Sequence, residues 1–94
     1  MSLHRYAARR DSNEAELFAL ARSIGIKIYP LSTPCDALAL IGTTWWPVEV
    51  KSATGTLTER QERFLAEVEA KGAGVLIWRT RADVLACLEN RHAD

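Results

Sequence analysis

The sequence of 94 residues predicts one small α/β domain in which helices flank a mixed, four-stranded sheet. Three observations support this fold class. Apolar residues recur at helical spacing in three segments, and short runs rich in branched and aromatic residues separate them. In the second half of the chain a helical segment lies between two strand-like runs, and such a crossover implies at least one parallel strand pair. The length fits one hydrophobic core, so we expect residues 1–94 to form a single domain.

The first helix is predicted from a segment of capping-box form, Asp11-Ser12-Asn13-Glu14, in which a short acceptor precedes Glu by three residues. Apolar residues follow at helical spacing at positions 17, 20, 21 and 24, and Gly25 is expected to end the helix. Residues 26–29 alternate between apolar and polar, which indicates a strand that runs up to Pro30.

Two strands are predicted in the middle of the chain. Residues 36–41 form a short apolar run before Gly42, and residues 45–51 have the valine and aromatic content of a strand. We expect these strands to form a hairpin around Thr43-Thr44. In that register Asp36 lies directly across from Lys51 and diagonal to Glu49, about 5–8 Å away.

The second half contains a helix, a strand and a last helix. Thr58-Glu59-Arg60-Gln61 is a second segment of capping-box form and opens a helix that runs to about Gly72. Residues 74–78 form a compact, largely buried strand. Thr80 is then expected to cap the last helix, which carries apolar residues at positions 84, 85 and 88.

The composition excludes several classes of protein. No apolar run approaches the ~20 residues that a membrane span needs, and the N-terminus lacks the hydrophobic region of a signal peptide. We therefore expect a cytoplasmic protein without a membrane partner, with flexible ends at residues 1–10 and 90–94. Cys35 and Cys87 match no metal-ligand or redox spacing. Reduced thiols are expected, with a disulfide as the alternative.

The net charge of zero argues against a nucleic-acid partner, but the distribution of charge moderates this conclusion. Residues 1–10 carry three arginines, among them Arg9 and Arg10, and no acid. If Glu14, Asp36 and Glu49 bind a metal ion, the rest of the chain has twelve basic and nine acidic residues. That excess is compatible with local contacts to phosphates.

Candidate chemistry lies at Glu49-Val50-Lys51. Side chains alternate across a strand, so Glu49 and Lys51 share one face. With Asp36 at hairpin distance, two carboxylates can reach one Mg²⁺ ion, which prefers oxygen ligands. The metal would polarise a phosphate and activate a water, while Lys51 could stabilise the transition state or help deprotonate that water. The alternative interpretation is the solvated face of an amphipathic strand.

Glu14 and Gln61 are the supporting candidates. Glu14 lies at the edge of the helical stripe that should face the sheet. Gln61 lies within the apolar stripe of the second helix, where an amide without a partner costs about 1–3 kcal/mol. The capping box can supply that partner, and Gln61 could also orient a site residue or a metal-bound water.

The tryptophans have separate interpretations. Strand parity groups Trp46 with Val48 and Val50, which predicts a core position, and Trp78 lies in a buried strand. Trp45 shares the face of Glu49. It could contact DNA or a second protomer, or be an aromatic residue at the rim of a turn.

Together, these elements and residues resemble the PD-(D/E)xK nuclease superfamily, and within it the compact VRR-NUC-type and phage-like endonucleases. The resemblance covers about residues 9–88. Besides Asp36 and Glu49-Val50-Lys51, it includes Arg10-Asp11-Ser12-Asn13-Glu14, which is similar to the family's opening helix. Residues 57–61 resemble the family segment L-(S/T)-x-x-Q, and residues 75–80 resemble the closing segment V-x-x-(V/I)-R-(S/T). Cys35 separates Pro34 from Asp36, where the family usually has Pro directly before the Asp.

What the resemblance implies is a restriction-endonuclease-like αβββαβ(α) core and a Mg²⁺- or Mn²⁺-dependent endonuclease that hydrolyses DNA phosphodiester bonds. Branched, flap or junction DNA is the implied substrate, and a homodimer the implied assembly. An inactive nuclease-fold module that binds DNA or a partner protein is the alternative.

The implied site residues form three groups. The metal ligands are Glu14, Asp36, Glu49 and the backbone carbonyl of Val50, and the catalytic residues are the same three acids with Lys51 and Gln61. The candidate DNA-binding residues are Arg9, Arg10, Lys51 and Arg60. Arg9 and Arg10 are equally interpretable as a solvated lead-in to the first helix, and for Arg60, on the exposed side of the second helix, a solvent charge is the more common interpretation.

Overall fold

The computed structural model describes residues 12–93, with side chains described up to residue 88. Its elements are α1 (Glu14–Ser23), β1 (Lys27–Pro30), β2 (Ala37–Ile41), β3 (Thr44–Val50), α2 (Glu59–Ala70), β4 (Leu76–Trp78) and α3 (Arg81–Ala93). This is the expected order of elements. Arg9, Arg10 and Asp11 lie outside the described residues, as does the flexible end expected at residues 1–10. The backbone is helical up to Ala93, within the segment from residue 90 where a second flexible end was expected.

The four strands form one mixed sheet in the order β1-β2-β3-β4. The first two neighbouring pairs are antiparallel, and β3 pairs with β4 in parallel. Helix α2 lies between β3 and β4 along the chain and provides the crossover that a parallel pair requires. The predicted mixed α/β sheet is therefore confirmed.

The register of the β2–β3 hairpin differs from the expected one. Ile41 pairs with Thr44, so the turn is Gly42-Thr43, and Ala37 pairs with Val48. The predicted turn at Thr43-Thr44 is wrong, because Gly42 adopts φ 63° and permits a two-residue turn that closes the strands earlier. The pairing shifts by two residues. An even shift keeps each side chain on its predicted face.

One face of the sheet, here called the covered face, carries the core. Ala37, Ala39 and Val48 on this face are completely buried, and residues of α1 and α3 pack against them. Trp78 is 1% exposed and belongs to this core, and the half-buried Trp46 packs against it. Both tryptophan predictions are confirmed.

The cross-strand pairs identify the residues of the opposite face, here called the open face. Tyr29 lies opposite Leu38, Trp45 lies opposite Leu40, and Glu49 pairs with Ile77 further along β3. Helix α2 approaches this face at the end that holds Glu49. None of the twelve residues of α2, all of which are described, is fully buried. The two faces thus differ sharply in how closely helices cover them.

The ends of the first two helices show how local sequence sets their limits. α1 ends in a Schellman motif, since Gly25 with φ 95° donates its N–H to Arg22 O and Ile26 donates to Ala21 O. Thr58 and Gln61 form the predicted capping box at the start of α2. The capping box predicted for α1 is wrong: the helix starts at Glu14 after Asn13, and the Asn13 side chain makes no cap bond.

Neither cysteine forms a disulfide. Cys35 and Cys87 are buried free thiols, as expected, and burial raises the pKa of each thiol above its ordinary value. No helix within residues 12–93 is long and apolar enough to cross a membrane.

Candidate active site

Asp36 lies immediately before β2 and beside Glu49. Because Ala37 pairs with Val48, the next step of the ladder places Asp36 opposite Glu49. The prediction that Asp36 faces Lys51 is therefore wrong, because the earlier turn at Gly42-Thr43 shifts the pairing by two residues. The backbone N–H of Asp36 donates to Val48 O at 3.0 Å, and its Oδ2 accepts the N–H of Val50 at 2.7 Å. These two bonds hold the Asp36 carboxylate against the end of β3.

Glu49 is the one charged side chain, among those described, that is fully buried, with 1% of its surface exposed. Its Oε1 accepts a hydrogen bond from Gln61 Nε2 at 3.3 Å. Its Oε2 is buried and has no hydrogen-bond partner within the described part of the chain. Buried polar atoms nearly always have a partner, and this oxygen has lone pairs available to accept a hydrogen bond or to coordinate a cation.

The surroundings of Glu49 favour its neutral form. Burial raises the pKa of Glu49 from 4.5 to about 7, and the adjacent Asp36 carboxylate contributes in the same direction through its negative charge and through a hydrogen bond with the protonated Glu49 side chain. The hydrogen bond from Gln61 and the positive charge of Lys51 lower the pKa in part. A cation bound between the two acids would reverse this balance, because it favours the ionised carboxylate.

Gln61 connects Lys51 to Glu49. Lys51 Nζ donates to Gln61 Oε1 at 3.3 Å, and Gln61 Nε2 donates to Glu49. The same Oε1 accepts the N–H of Thr58 at 2.9 Å, and Thr58 Oγ1 accepts the N–H of Gln61 at 3.2 Å. The side chain that caps α2 therefore also positions the lysine beside the buried acid.

Two residues outside the predicted site hold the surrounding backbone. Asn13 Nδ2 donates to Lys51 O and to Arg79 O, both at 3.1 Å, and so ties the start of α1 to the ends of β3 and β4. The guanidinium of Arg79 donates to Ser52 O at 2.9 Å and also to Gly55 O. It thereby fixes the loop that follows Lys51. Asn13 and Arg79 were not identified as site residues from the sequence, because neither residue type indicates which distant backbone groups it will bind.

The other predicted site residues, Glu14, Val50 and Arg60, have different surroundings. Glu14 is the first residue of α1, and no group of three or more His, Cys, Asp or Glu residues in the described region could hold a metal ion. Glu14 therefore does not complete a three-acid group with Asp36 and Glu49. Val50 is buried and pairs with Trp78. Arg60 is exposed near the start of α2.

The structure thus brings together Asp36, Glu49, Lys51 and Gln61 at the end of β3. No protein-family model, curated protein or solved structure matches this chain. The argument for a function therefore depends on the geometry of these four residues.

Proposed function

We propose that this chain is a metal-dependent endodeoxyribonuclease, with Asp36 and Glu49 as metal ligands and Lys51 as a catalytic cation. The observation that supports it most is the buried Glu49 Oε2 without a partner beside a second carboxylate. Burying an ionised carboxylate is costly unless it is paired or binds a metal. Mg²⁺ is commonly held by one or two carboxylates together with phosphate oxygens and waters, so two acids are a sufficient protein contribution.

Each residue of the site has a distinct role in this proposal. A bound Mg²⁺ or Mn²⁺ would polarise the scissile phosphate and stabilise the charge that develops on it. Lys51 would place its ammonium group against a phosphate oxygen, where a compact positive charge is most effective. Gln61 is a positioning residue, since it holds Lys51 Nζ and Glu49 Oε1 in fixed relation.

A second candidate function is a nuclease-fold module that binds DNA or a partner protein without cutting. The bond from Val50 N–H to Asp36 Oδ2 favours it, because this bond gives Asp36 a structural use that requires no metal. Gln61 likewise serves the capping box of α2. In this second candidate function, Asp36 and Gln61 would contribute to the stability of the fold and not to catalysis.

A cleavage assay separates the two candidates. Labelled linear, flapped and four-way DNA would be incubated with Mg²⁺ or Mn²⁺ and with the wild-type protein, Glu49→Gln or Lys51→Ala. Glu59→Gln removes an exposed acid at the start of α2 and is the charge-matched control. We expect wild type and Glu59→Gln to cut, with a preference for a branched or flapped substrate, and the other two to lose about 100-fold or more. Cutting by Glu49→Gln at the wild-type rate would contradict the proposal.

We also propose that the enzyme acts as a homodimer, because a neutral chain of this size has little charge with which to hold DNA. Its mass in solution, measured with and without DNA, tests this assembly. A monomer in the active complex would contradict it.

A further inference from the structure

The open face of the sheet carries two exposed aromatic rings next to each other. Tyr29 is 51% exposed and Trp45 is 52% exposed, and their ring centroids are 5.7 Å apart at an interplanar angle of 46°. Adjacent exposed rings offer apolar ring faces to a ligand, so this pair is a candidate contact surface. We call Tyr29 and Trp45 the aromatic pair.

A positively charged groove adjoins the aromatic pair. Its volume is about 370 Å³, and it is lined by Arg22, Gly25, Ile26, Lys27, Ile28 and Tyr29. The lining contains two cations and no acid. Lys27 is exposed. Within residues 12–93, Arg22 donates one hydrogen bond, to Ile28 O at 3.2 Å, which uses only part of its capacity as a donor. The groove therefore complements the negative charge of a phosphate backbone.

The aromatic pair and the candidate active site belong to the same face. Trp45 and Glu49 are four residues apart on β3, so their Cα atoms are separated by about 13 Å. That distance corresponds to about four stacked nucleotides of one DNA strand. A strand held at the groove could therefore cross the aromatic pair and reach Lys51 and Glu49.

We infer that the aromatic pair stacks the bases of an unpaired DNA strand whose phosphates lie along Arg22 and Lys27. A positive groove combined with exposed aromatic rings is the arrangement by which proteins bind single strands without reading their sequence. Bases within a duplex are already stacked and paired, so their ring faces are not free for this contact. The inference deepens the proposed nuclease function, on which it rests for what happens at Glu49, by naming an unpaired strand as the substrate.

Binding is measured without metal, so that it does not depend on cleavage. The probe is a fluorescein-labelled oligothymidylate of about 20 nucleotides, followed by anisotropy in the presence of a chelator. We expect Trp45→Ala and Tyr29→Ala each to weaken binding by about 5- to 150-fold, as for the loss of one stacked base. Trp45→Phe and Tyr29→Phe keep a ring and should retain most of the affinity. Leu85→Ala alters an exposed apolar residue of α3 and is the control.

The groove is tested by salt dependence. Lys27→Gln should reduce the slope of log affinity against log salt by about 0.7, the value for one phosphate contact on a single strand. Wild type should also bind the oligothymidylate more tightly than a blunt duplex of the same length. An unchanged slope, or equal affinity for the duplex, would overturn the inference.

A second copy of this chain is the competing occupant of the open face. If Trp45→Ala converts a dimer to a monomer and leaves the affinity for the oligothymidylate unchanged, the face is a protein interface and the inference is overturned. If wild type binds the oligothymidylate through the aromatic pair but cuts no DNA with Mn²⁺, the inference is supported and the proposed nuclease function fails.

Discussion

The two faces of the sheet differ in what their residues contribute. On the covered face, Ala39 and Val48 are completely buried and their side chains belong to the hydrophobic core. On the open face, Tyr29 and Trp45 are exposed, and a buried acid, Glu49, lies among polar partners. The comparison places the packed core on the covered face and the proposed active site on the open face. Substitutions on the two faces should therefore have separable effects.

The largest expected effect on stability comes from the covered face. Trp78→Ala removes a large side chain that is 1% exposed and should lower the free energy of unfolding by about 3–5 kcal/mol. Urea denaturation followed by circular dichroism measures the change. A loss below about 1 kcal/mol would mean that this part of the covered face is not the packed core.

The ionisation of Glu49 should give the next largest effect, with opposite consequences for stability and activity. Its pKa is raised from 4.5 to about 7, so its contribution to stability is fully present below pH 4.5 and is lost as the pH rises through 7. The loss is on the order of 3 kcal/mol. Cleavage should instead increase through the same range, because metal binding requires the carboxylate.

The control for this prediction is Glu49→Gln, which cannot ionise. Its free energy of unfolding should exceed that of wild type above pH 7, although the proposed cleavage activity should be lost. Denaturation of both proteins across the pH range measures the difference. Parallel curves would contradict the assignment of the raised pKa to Glu49.

A smaller effect separates the two uses of Gln61. Gln61→Ala removes half of the capping box and the link between Lys51 and Glu49, and should cost about 1–2 kcal/mol of stability and 10- to 100-fold in activity. Thr58→Ala also weakens the cap, by about 1 kcal/mol, but leaves the Gln61 side chain in place. It should keep nearly all of the activity. Equal losses of activity in both variants would mean that Gln61 affects activity only through the capping of α2 and not through its bonds to Lys51 and Glu49.

The smallest expected effect on stability comes from the open face. Trp45→Ala removes an exposed ring that contacts the ring of Tyr29, and should lower the free energy of unfolding by at most about 1 kcal/mol. The same denaturation experiment measures it. A loss as large as that of Trp78→Ala would show that the open face also carries the core.

Local pattern predicted much of this arrangement. Alternation along β3 placed Glu49 opposite in direction to Val48 and Val50, and the capping box placed Gln61 at the start of α2. Both depend on residues a few positions apart, where the period of a strand or a helix turn determines direction. The end of α1 at Gly25 and the start of α2 at Thr58 could be predicted for the same reason.

Contacts between distant segments could not be predicted in this way. The hairpin register depended on the φ angle of Gly42, and it decided that Asp36 faces Glu49 rather than Lys51. The bonds of Asn13 to the ends of β3 and β4 join residues 38 and 66 positions apart. No local period encodes such contacts. The position of Glu14 relative to Asp36 and Glu49 depends on them and could not be predicted from the sequence pattern either.

The central claim is that Asp36 and Glu49 hold a divalent cation. The most direct measurement is thermal unfolding of the full chain with and without Mn²⁺, on the alkaline side of the Glu49 pKa, for wild type, Asp36→Asn, Glu49→Gln and Glu59→Gln. At a Mn²⁺ concentration of about 100 times Kd, wild type and Glu59→Gln should gain about 2.7 kcal/mol, and the other two should gain almost nothing. Equal stabilisation of wild type and Glu49→Gln, or no stabilisation of wild type, would contradict the claim.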